Sequence, residues 1–398
     1  MIKKNSNDAM RKGVTNIVLL GLISFFADIS SEMVYPLIPI YLTTVLGATP
    51  ALVGLIEGIA ESTASLLKVF SGYISDKFKR KKALAAAGYS TGIIYKIALF
   101  FAASWAGVLA AKVVDRLGKG IRTAPRDVMV ADSAQQGKTG KAFGIHKMLD
   151  MAGSAIGILI AFLLLKNLGE SGYQNIFLIS VIPVVLALIL FLFVHENKAK
   201  PNEQPKREKF WKRFSSLDKH LKLYLLVAFI FTLGNSSNSF LLMRATDMGF
   251  SSTNAILLYF AYNVTAAILS IPFGKLSDKI GKKKLLVSGY IVFALVYIGF
   301  AFCPNQGTMI GIFVLYGIYT AMVAGVERAF IAEIAPPDLK GTMLGLHSTV
   351  VGIALLPASV IAGLLWDGIG AFASFLFGGS LSLIAAIVLA FGLKKKKI

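Results

Sequence analysis

Cysteine is nearly absent from this sequence, and the motifs of several enzyme classes are missing with it. The single cysteine, Cys303, excludes an intrachain disulfide. No group of histidines and cysteines has metal-ligand spacing, and no Walker A, Gly-x-Ser-x-Gly or His-Glu-x-x-His motif occurs. The sequence therefore gives no support for an ATP-driven pump, a hydrolase, a metal site or a cofactor, and we expect a protein that is not an enzyme.

Polar segments are scarce as well, because 56% of the residues are hydrophobic. A helix needs about 20 apolar residues to cross the hydrocarbon core of a bilayer. Twelve runs of sufficient length predict spans 1 to 12, at residues 17–45, 51–74, 83–103, 105–127, 142–165, 173–194, 222–245, 253–276, 285–303, 307–332, 343–366 and 371–393. We expect an all-α membrane protein with an N-terminal six-helix bundle (1–195), a cytoplasmic linker (196–221) and a C-terminal six-helix bundle (222–398).

Acidic residues are a minority of the charged ones, with 21 Asp and Glu against 41 Lys and Arg and a net charge of +20. The basic residues concentrate at the N-terminus, in the loops after spans 2, 4, 6 and 8, and in the C-terminal tail. The positive-inside rule places these segments in the cytoplasm. We therefore expect a multi-pass protein of the plasma membrane with both termini cytoplasmic. The positive charge is explained by topology and by contact with anionic lipid, so we expect no nucleic-acid partner.

The sequence contains one six-span unit that is used twice. The recurring residues are Gly72, Asp76 and Lys81 with Gly274, Asp278 and Lys283, and also His146 with His347. The offset is 202 residues for the first three pairs and 201 for the histidines. Because each unit has an even number of spans, the two halves share one orientation and are parallel repeats.

The two repeated loops resemble those of a known family. Their sequences are Gly72-x-x-x-Asp76-x-x-Lys79-Arg80-Lys81 and Gly274-x-Leu276-x-Asp278-Lys279-x-Gly281-Lys282-Lys283. This pair, six spans apart, resembles the loop 2–3 and loop 8–9 signature of the major facilitator superfamily. The resemblance implies a secondary transporter in which two six-helix bundles surround a central cavity and rock between inward-open and outward-open states.

The resemblance also implies a gating role for the two loops. A glycine lets neighbouring helices approach closely, and an aspartate at a helix end can meet backbone N–H groups or a cation. Such contacts would lock one closed state. The predicted gate residues are Gly72, Asp76, Arg80, Lys81, Gly274, Asp278, Lys282 and Lys283. The alternative is that the basic residues only fix the topology.

Ionisable residues inside the spans point to proton coupling, because they are costly at membrane depth unless they are paired or hydrated. Span 4 carries a cationic stripe, formed on one face by Lys112, Arg116, Lys119, Arg122 and Arg126. Within it, Arg116-Leu117-Gly118-Lys119-Gly120 resembles the span 4 pattern of proton-coupled family members. By analogy, Arg116 would tune the protonation of a nearby carboxylate. The predicted coupling residues are Asp28, Glu32, Arg116 and Lys119, with Glu32 ranked above Asp28.

Four further residues are secondary candidates for coupling. Glu57 and Glu61 share one face of span 2, whereas His146 and Asp150 share one face of span 5. Structural salt bridges, or a structural His–Asp pair, are the alternative role. Span 5 continues as Gly153-Ser154-Ala155-Ile156-Gly157, which partly resembles the Gly-Pro-x-x-Gly-Gly signature of proton-driven exporters.

The spans of the second half carry fewer charges than those of the first. Their amides and hydroxyls suit hydrogen bonds to a solute better than proton transfer. We therefore predict substrate contacts at Asn235, Asn238, Asn263, Glu327 and Arg328. Hydrogen bonds that join the helices are the competing explanation for the amides.

Three functions are compatible with these features. The first is a monomeric secondary transporter that exports a small amphipathic molecule in exchange for protons. The second is a proton symporter that imports a metabolite or an organic anion. The third is a membrane sensor or assembly factor without transport activity, and the charged residues in both gate loops argue against it.

Fused reporters test the predicted topology. A reporter placed after Lys397 or inside residues 200–209 should give a cytoplasmic signal, because both segments are rich in Lys and Arg. A reporter inserted at residues 247–250 should give an external signal. Paired fluorescent-protein and alkaline-phosphatase fusions measure the two sides, and an external signal from the linker would contradict the twelve-span arrangement.

Overall fold

The computed structural model describes residues 2–78, 81–134, 139–196, 217, 219–335 and 340–392. Within these ranges the chain forms helices and no strand. The helices of the first half are Ile2–Val34, Leu37–Ile40, the π-helix Tyr41–Val45, Pro50–Phe78, Lys81–Phe100, Trp105–Ser133, Thr139–Leu168, the 3-10 turn Glu170–Gly172, Tyr173–Ile179 and Val181–Phe191. The helices of the second half are Lys219–Gly234, Ser239–Asp247, Ser252–Ile280, Lys282–Ala301, Gln306–Val323, Val326–Ile334, Lys340–Gly368 and Ala371–Gly392.

The twelve predicted spans are confirmed. Eleven of the described helical segments are long and apolar enough to cross a bilayer. The remaining span, span 4, is the helix Trp105–Ser133, whose 29 residues suffice in length but include the cationic stripe. Spans 1, 6, 7 and 10 each contain a short break between two helical pieces.

Turns and caps repeat between the halves, which supports the duplication inferred from the loops. Gly47 and Gly249 follow spans 1 and 7 with φ angles of 62° and 83°. Gly169 and Gly370 follow spans 5 and 11 with φ angles of 69° and 128°. Only glycine adopts such angles freely, so the two halves need the same residue at the same turns.

Spans 4 and 10 also begin with the same kind of cap. The side chain of Ser104 accepts a hydrogen bond from the backbone N–H of Gly107, and that of Asn305 accepts one from Thr308. Ser and Asn are favoured at this position because they satisfy a helix N–H that has no partner within the helix.

The helices pack into two compact units. Unit 1 contains Met1–Ile38 and Leu66–Pro205, and unit 2 contains Pro39–Ser65 and Lys206–Ile398. Unit 2 therefore includes the first part of span 2 together with the second half of the chain. The division of the sequence into 1–195, 196–221 and 222–398 remains a prediction about the repeat.

Glycines explain why the first part of span 2 belongs to unit 2. A Cβ atom added at Gly54 would lie 2.2 Å from the carbonyl oxygen of Ser359, and one at Gly58 would lie 2.9 Å from that of Leu356. Real Cβ atoms are never this close to backbone oxygens, so spans 2 and 11 touch through these bare positions. Ser62 donates a hydrogen bond to the carbonyl of Gly352 on the same face, at 2.6 Å.

The same device joins spans 1 and 5 in unit 1. A Cβ atom at Gly153 would lie 2.4 Å from the carbonyl oxygen of Phe25, and one at Gly157 would lie 2.5 Å from that of Ile29. Small residues allow helix backbones to approach closely in membranes. The segment that partly resembles an exporter signature is therefore the packing surface of span 5 against span 1.

This packing predicts that Gly157→Ala destabilises the protein. The added methyl group must push span 5 away from Ile29, at a cost of about 1–3 kcal/mol. Gly311→Ala is a matched control in span 10, because nothing lies within 4 Å of a Cβ atom at that site. The control should be neutral or stabilising, since alanine favours helix over glycine. Thermal unfolding in detergent measures both variants, and equal melting temperatures would refute the packing role.

Candidate functional site

Asp28 and Asp150 form the central pair of the candidate site. Asp28 lies on span 1 and Asp150 on span 5, and their two carboxyl groups are close enough to interact electrostatically. Gly153 and Gly157 bring the two spans together on either side of Asp28. An ionised carboxylate can only accept hydrogen bonds, so a hydrogen bond between two carboxyl groups requires a proton on one of them.

Cations from two spans surround this pair. Lys147, one turn before Asp150, binds it with Nζ 3.1 Å from Oδ2. Lys119 and Arg122 on span 4 interact electrostatically with Asp28. The structure thus brings together three predicted residues, Asp28, Asp150 and Lys119, in one part of unit 1.

His146 lies in a neighbouring hydrogen-bonded group rather than in a His–Asp pair. It is 4% exposed, and its Nε2 atom lies 2.9 Å from the hydroxyl of Ser24 on span 1. The same hydroxyl lies 3.2 Å from that of Tyr89 on span 3 and accepts a hydrogen bond from Arg126 at 3.3 Å. Four spans therefore meet at Ser24.

Arg116 lies deeper in unit 1 with a different carboxylate. It is 6% exposed, and its Nη1 atom is 3.9 Å from Oδ2 of Asp115. Lys96 on span 3, which is 1% exposed, interacts with the same carboxylate. The structure therefore pairs Arg116 with Asp115, its neighbour in the sequence, and brings Lys96 to the same point.

The other predicted acids are Glu32 on span 1 and Glu57 and Glu61 on span 2. Glu32 is partly buried one turn further along span 1, where it borders Gly157. Glu57 is fully buried in unit 2 and accepts a hydrogen bond from the hydroxyl of Ser239 at 2.9 Å. Glu61 is partly buried one turn after Glu57.

The gate residues of the first half are described only in part. Gly72 and Asp76 lie in the helix Pro50–Phe78, beyond the part whose side chains are described, and Arg80 lies outside the described residues. Lys81 forms an ion pair with Asp132 at the end of span 4, with Nζ 2.8 Å from Oδ2.

Further contacts tie this loop to the end of span 6. The backbone N–H of Lys81 donates to Glu196, and Nζ of Lys82 donates to the carbonyls of Leu192 and Val194. These bonds connect the ends of spans 3, 4 and 6 within unit 1.

The second gate loop makes the matching ion pair, which changes one assignment of the repeat. Lys282 binds Glu333 at 2.8 Å and Asp278 at 3.5 Å. Lys282 is therefore the counterpart of Lys81, and the expected match with Lys283 is wrong by one residue. In the second half, Gly281 alone joins spans 8 and 9, with φ 96°, so Lys282 is the first residue of span 9, as Lys81 is of span 3.

Two further gate predictions have a clear outcome in the second half. Lys283 donates a hydrogen bond to the carbonyl of Ala390 at 2.8 Å, so it binds the end of span 12. A Cβ atom at Gly274 would meet nothing within 4 Å. The expected close approach of a neighbouring helix at Gly274 is therefore wrong, because this part of span 8 is open.

The predicted substrate residues of span 7 lie at its break. Asn235 donates to the hydroxyl of Tyr319 at 3.2 Å. Asn238 donates to the hydroxyl of Tyr262 at 3.0 Å and accepts from that of Tyr316 at 2.7 Å. All three tyrosines are buried, so these amides join spans 7, 8 and 10. Asn263 bonds within its own helix, to the carbonyl of Tyr259.

Glu327 and His347 form a second polar group inside unit 2. Oε1 of Glu327 lies 3.3 Å from Nε2 of His347, and the hydroxyls of Tyr224 and Tyr290 interact with the same carboxyl group. Arg328, by contrast, is exposed. Of the five predicted substrate residues, Glu327 is thus the one that lies at salt-bridge distance from a histidine.

Lys96, Ser24 and Tyr89 belong to the site but were not predicted. Lys96 could have been predicted from the sequence, since a lone lysine in the middle of an otherwise apolar span suggests a functional role. Ser24 and Tyr89 left none, because serine and tyrosine are common in membrane helices.

The sequence matches the profile of the Major Facilitator Superfamily over residues 20–261 and 223–398. It is 40% identical over 395 residues to an uncharacterized MFS-type transporter of Methanocaldococcus jannaschii, which covers 98% of this chain and 97% of that protein. It is 24% identical over 394 residues to the gentisate transporter of Corynebacterium glutamicum, which covers 96% of this chain and 88% of that protein.

A crystal structure of the nucleoside transporter NupG has the same fold. The TM-score is 0.80, with 95% of this chain and 100% of that chain covered, at 11% identity. The repeated six-helix halves, the profile match and the archaeal relative agree with one another. This chain therefore belongs to the major facilitator superfamily of membrane transporters.

Proposed function

We propose that this transporter moves a small solute with the energy of a proton gradient, and that Asp28 and Asp150 are its proton-binding pair. The proximity of the two carboxyl groups supports the proposal, because two neighbouring acids inside the membrane repel each other unless one of them holds a proton. A coupling site must alternate between a protonated and an ionised state during the cycle. Two acids that share one proton have both states available.

The cations near the pair supply the opposing influence that such a site needs. Burial favours the neutral form of a carboxyl group, whereas a nearby cation favours the ionised form. Lys147 binds Asp150 directly, and Lys119 and Arg122 act on Asp28. A small change in the position of one cation can therefore change the number of protons held by the pair.

This proposal ranks Asp28 above Glu32, in the reverse of the order favoured by the sequence. Asp28 has a neighbouring acid, Asp150, on another span. Glu57 is set aside for coupling, because it lies in unit 2 and accepts a hydrogen bond from the neutral hydroxyl of Ser239.

Export of an amphipathic molecule is the competing function. Its sequence support came from span 5, but Gly153 and Gly157 are accounted for by their contact with span 1. The name of the relative from Corynebacterium glutamicum favours an organic anion instead, since gentisate is a carboxylate. We therefore favour proton symport of an organic anion over exchange of an amphipathic solute for protons.

The proposal predicts that Asp28→Asn and Asp150→Asn each abolish gradient-driven accumulation. With one proton per solute, a gradient of about 2 pH units supports about 100-fold accumulation. Asparagine keeps the shape of the side chain but binds no proton, so each variant should only equalise the solute concentrations. Proteoliposomes with an imposed pH gradient measure this, with benzoate as an anionic probe, ethidium as an amphipathic one, and protein-free liposomes subtracted because neutral benzoic acid crosses the bilayer unaided.

Two comparisons make the result specific. Glu57→Gln is the matched control, and it should keep gradient-driven accumulation. The proposal fails if Asp28→Asn and Asp150→Asn accumulate solute as the unmodified protein does. Loss of accumulation in Glu32→Gln alone would restore the order favoured by the sequence. Transport of ethidium in the direction opposite to that of the protons, without transport of benzoate, would establish export.

A further inference from the structure

Three cations of unit 1 lack an acidic partner at salt-bridge distance within the described part of the chain. They are Lys96 on span 3 and Lys119 and Arg122 on span 4. Lys96 and Arg122 are 1% and 8% exposed, so both are almost fully removed from solvent. A buried cation is costly unless an anion compensates it. The arrangement is therefore incomplete in a way that a bound anion would correct.

Close packing of spans 3 and 4 places Arg122 of span 4 against span 3, which carries Lys96. A Cβ atom at Gly88 would lie 2.8 Å from the carbonyl oxygen of Gly118 and 2.7 Å from Cβ of Arg122. The guanidinium group of Arg122 lies 4.4 Å from the centroid of the Tyr89 ring, which fixes its plane. Nζ of Lys96 lies next to Gly92, which has no side chain. A Cβ atom added at Gly92 would lie 3.7 Å from this Nζ atom.

All three cations act on the same two acids. Each of them interacts electrostatically with Asp115 and with Asp28. Asp115 also pairs with Arg116 at 3.9 Å, so its charge is already shared. Asp28, in turn, shares a proton with Asp150 according to the proposed function, and the two carboxyl groups interact electrostatically. When that proton is present, the three cations have less negative charge near them than they require.

We propose that Lys96, Lys119 and Arg122 form a binding site for a small organic oxyanion, and that Asp28 competes with this anion for the cations. A planar guanidinium group held against an aromatic ring suits the two oxygens of a carboxylate or two oxygens of a phosphate. Two ammonium groups add positive charge without directional demands. This inference rests on the proposed proton pair and names the class of substrate that the pair would control.

Competition with Asp28 gives the site its dependence on protons. The groups that face the acid pair are Lys96, Lys119, Arg122, Arg126, Lys147 and His146. An ionised Asp28 neutralises Lys119 and Arg122 from within the protein. Once Asp28 is protonated, the two cations are available to an external anion. Proton and anion then bind together, and one proton with one monoanion leaves the total charge unchanged.

Binding of three ring compounds to the purified full chain in detergent tests the inference. Benzoate, phenyl phosphate and benzamide share a ring and differ in their head groups. Benzoate or phenyl phosphate should bind at about pH 5.5 and at least about tenfold more weakly at about pH 8. Benzamide should bind at least about tenfold more weakly than the better anion. Isothermal titration calorimetry measures all three compounds.

The head groups decide the source of the oxyanion. Tighter binding of benzoate assigns a carboxylate, and tighter binding of phenyl phosphate assigns a phosphate ester. Either result supports an oxyanion site. Equal binding of benzamide and the anions, or no binding of either anion, overturns it.

Substitutions of the cations provide the matched comparison. Arg122→Gln should weaken anion binding at least about tenfold, and Arg122→Lys should restore part of the loss. Lys112→Gln is the control, because Lys112 is a buried cation of the same span that lies over the ring of Tyr35 instead. Unchanged binding in Arg122→Gln overturns the site.

Asp28→Asn separates this inference from the proposed proton pair. Without an ionised Asp28, the anion should bind equally well at both pH values. If Asp28→Asn keeps the pH dependence while Arg122→Gln loses binding, the anion site stands and the competition with Asp28 is wrong. If Arg122→Gln binds normally while Asp28→Asn loses proton coupling, the proton pair stands and the anion site is wrong.

Discussion

The structure of unit 1 depends on one constraint, which is that charges inside a membrane need compensation from within the protein. Span 4 carries more charge than any other span, so its neighbours must supply partners. They do so by different means: a carboxylate next in sequence for Arg116, an aromatic ring for Arg122, and hydrogen-bonded side chains for Arg126. The glycines of spans 3 and 5 also contribute, because they let the helices approach closely enough for the charged side chains to reach their partners.

The two halves of the chain share one scaffold but carry opposite charges at corresponding positions. His146 and Tyr89 of unit 1 correspond by position to His347 and Tyr290 of unit 2. Between these counterparts, the dipeptide Arg126-Asp127 corresponds to Glu327-Arg328, with the order of the charges reversed. A cation therefore faces the histidine of unit 1, and a carboxylate faces that of unit 2. Duplication preserved the positions and the turns, while the chemistry of each half diverged.

The sequence predicted the parts of the fold that depend on local pattern. Span length predicted the twelve helices, and the repeated loops predicted the duplication, whereas the ion pairs of Lys81 with Asp132 and of Lys282 with Glu333 appear only in the structure. The sequence did not predict that Asp28 would meet Asp150, because helical periodicity assigns a residue to a face but does not say which helices touch. That information lies in Gly153 and Gly157, which the sequence presented as part of a transport signature. The one-residue shift at Lys283 was missed for a similar reason, since it depends on the backbone conformation of Gly281 between spans 8 and 9.

The same glycine contacts limit how the proton pair can work. Gly153 holds the backbone of span 5 against Phe25, and Gly157 holds it against Ile29, so the two spans are joined on both sides of Asp28. Moving span 5 away from span 1 would require these contacts to break, at the cost of exposing backbone carbonyls and losing close packing. A cycle that preserves the contacts must change the proton occupancy by another route. Span 4 offers that route, because its cations approach Asp28 through long, flexible side chains and not through a glycine contact with span 1. Under the proposed coupling, spans 1 and 5 would keep the two acids at a fixed separation, and the charge on span 4, together with an anion bound there, would determine whether the proton stays.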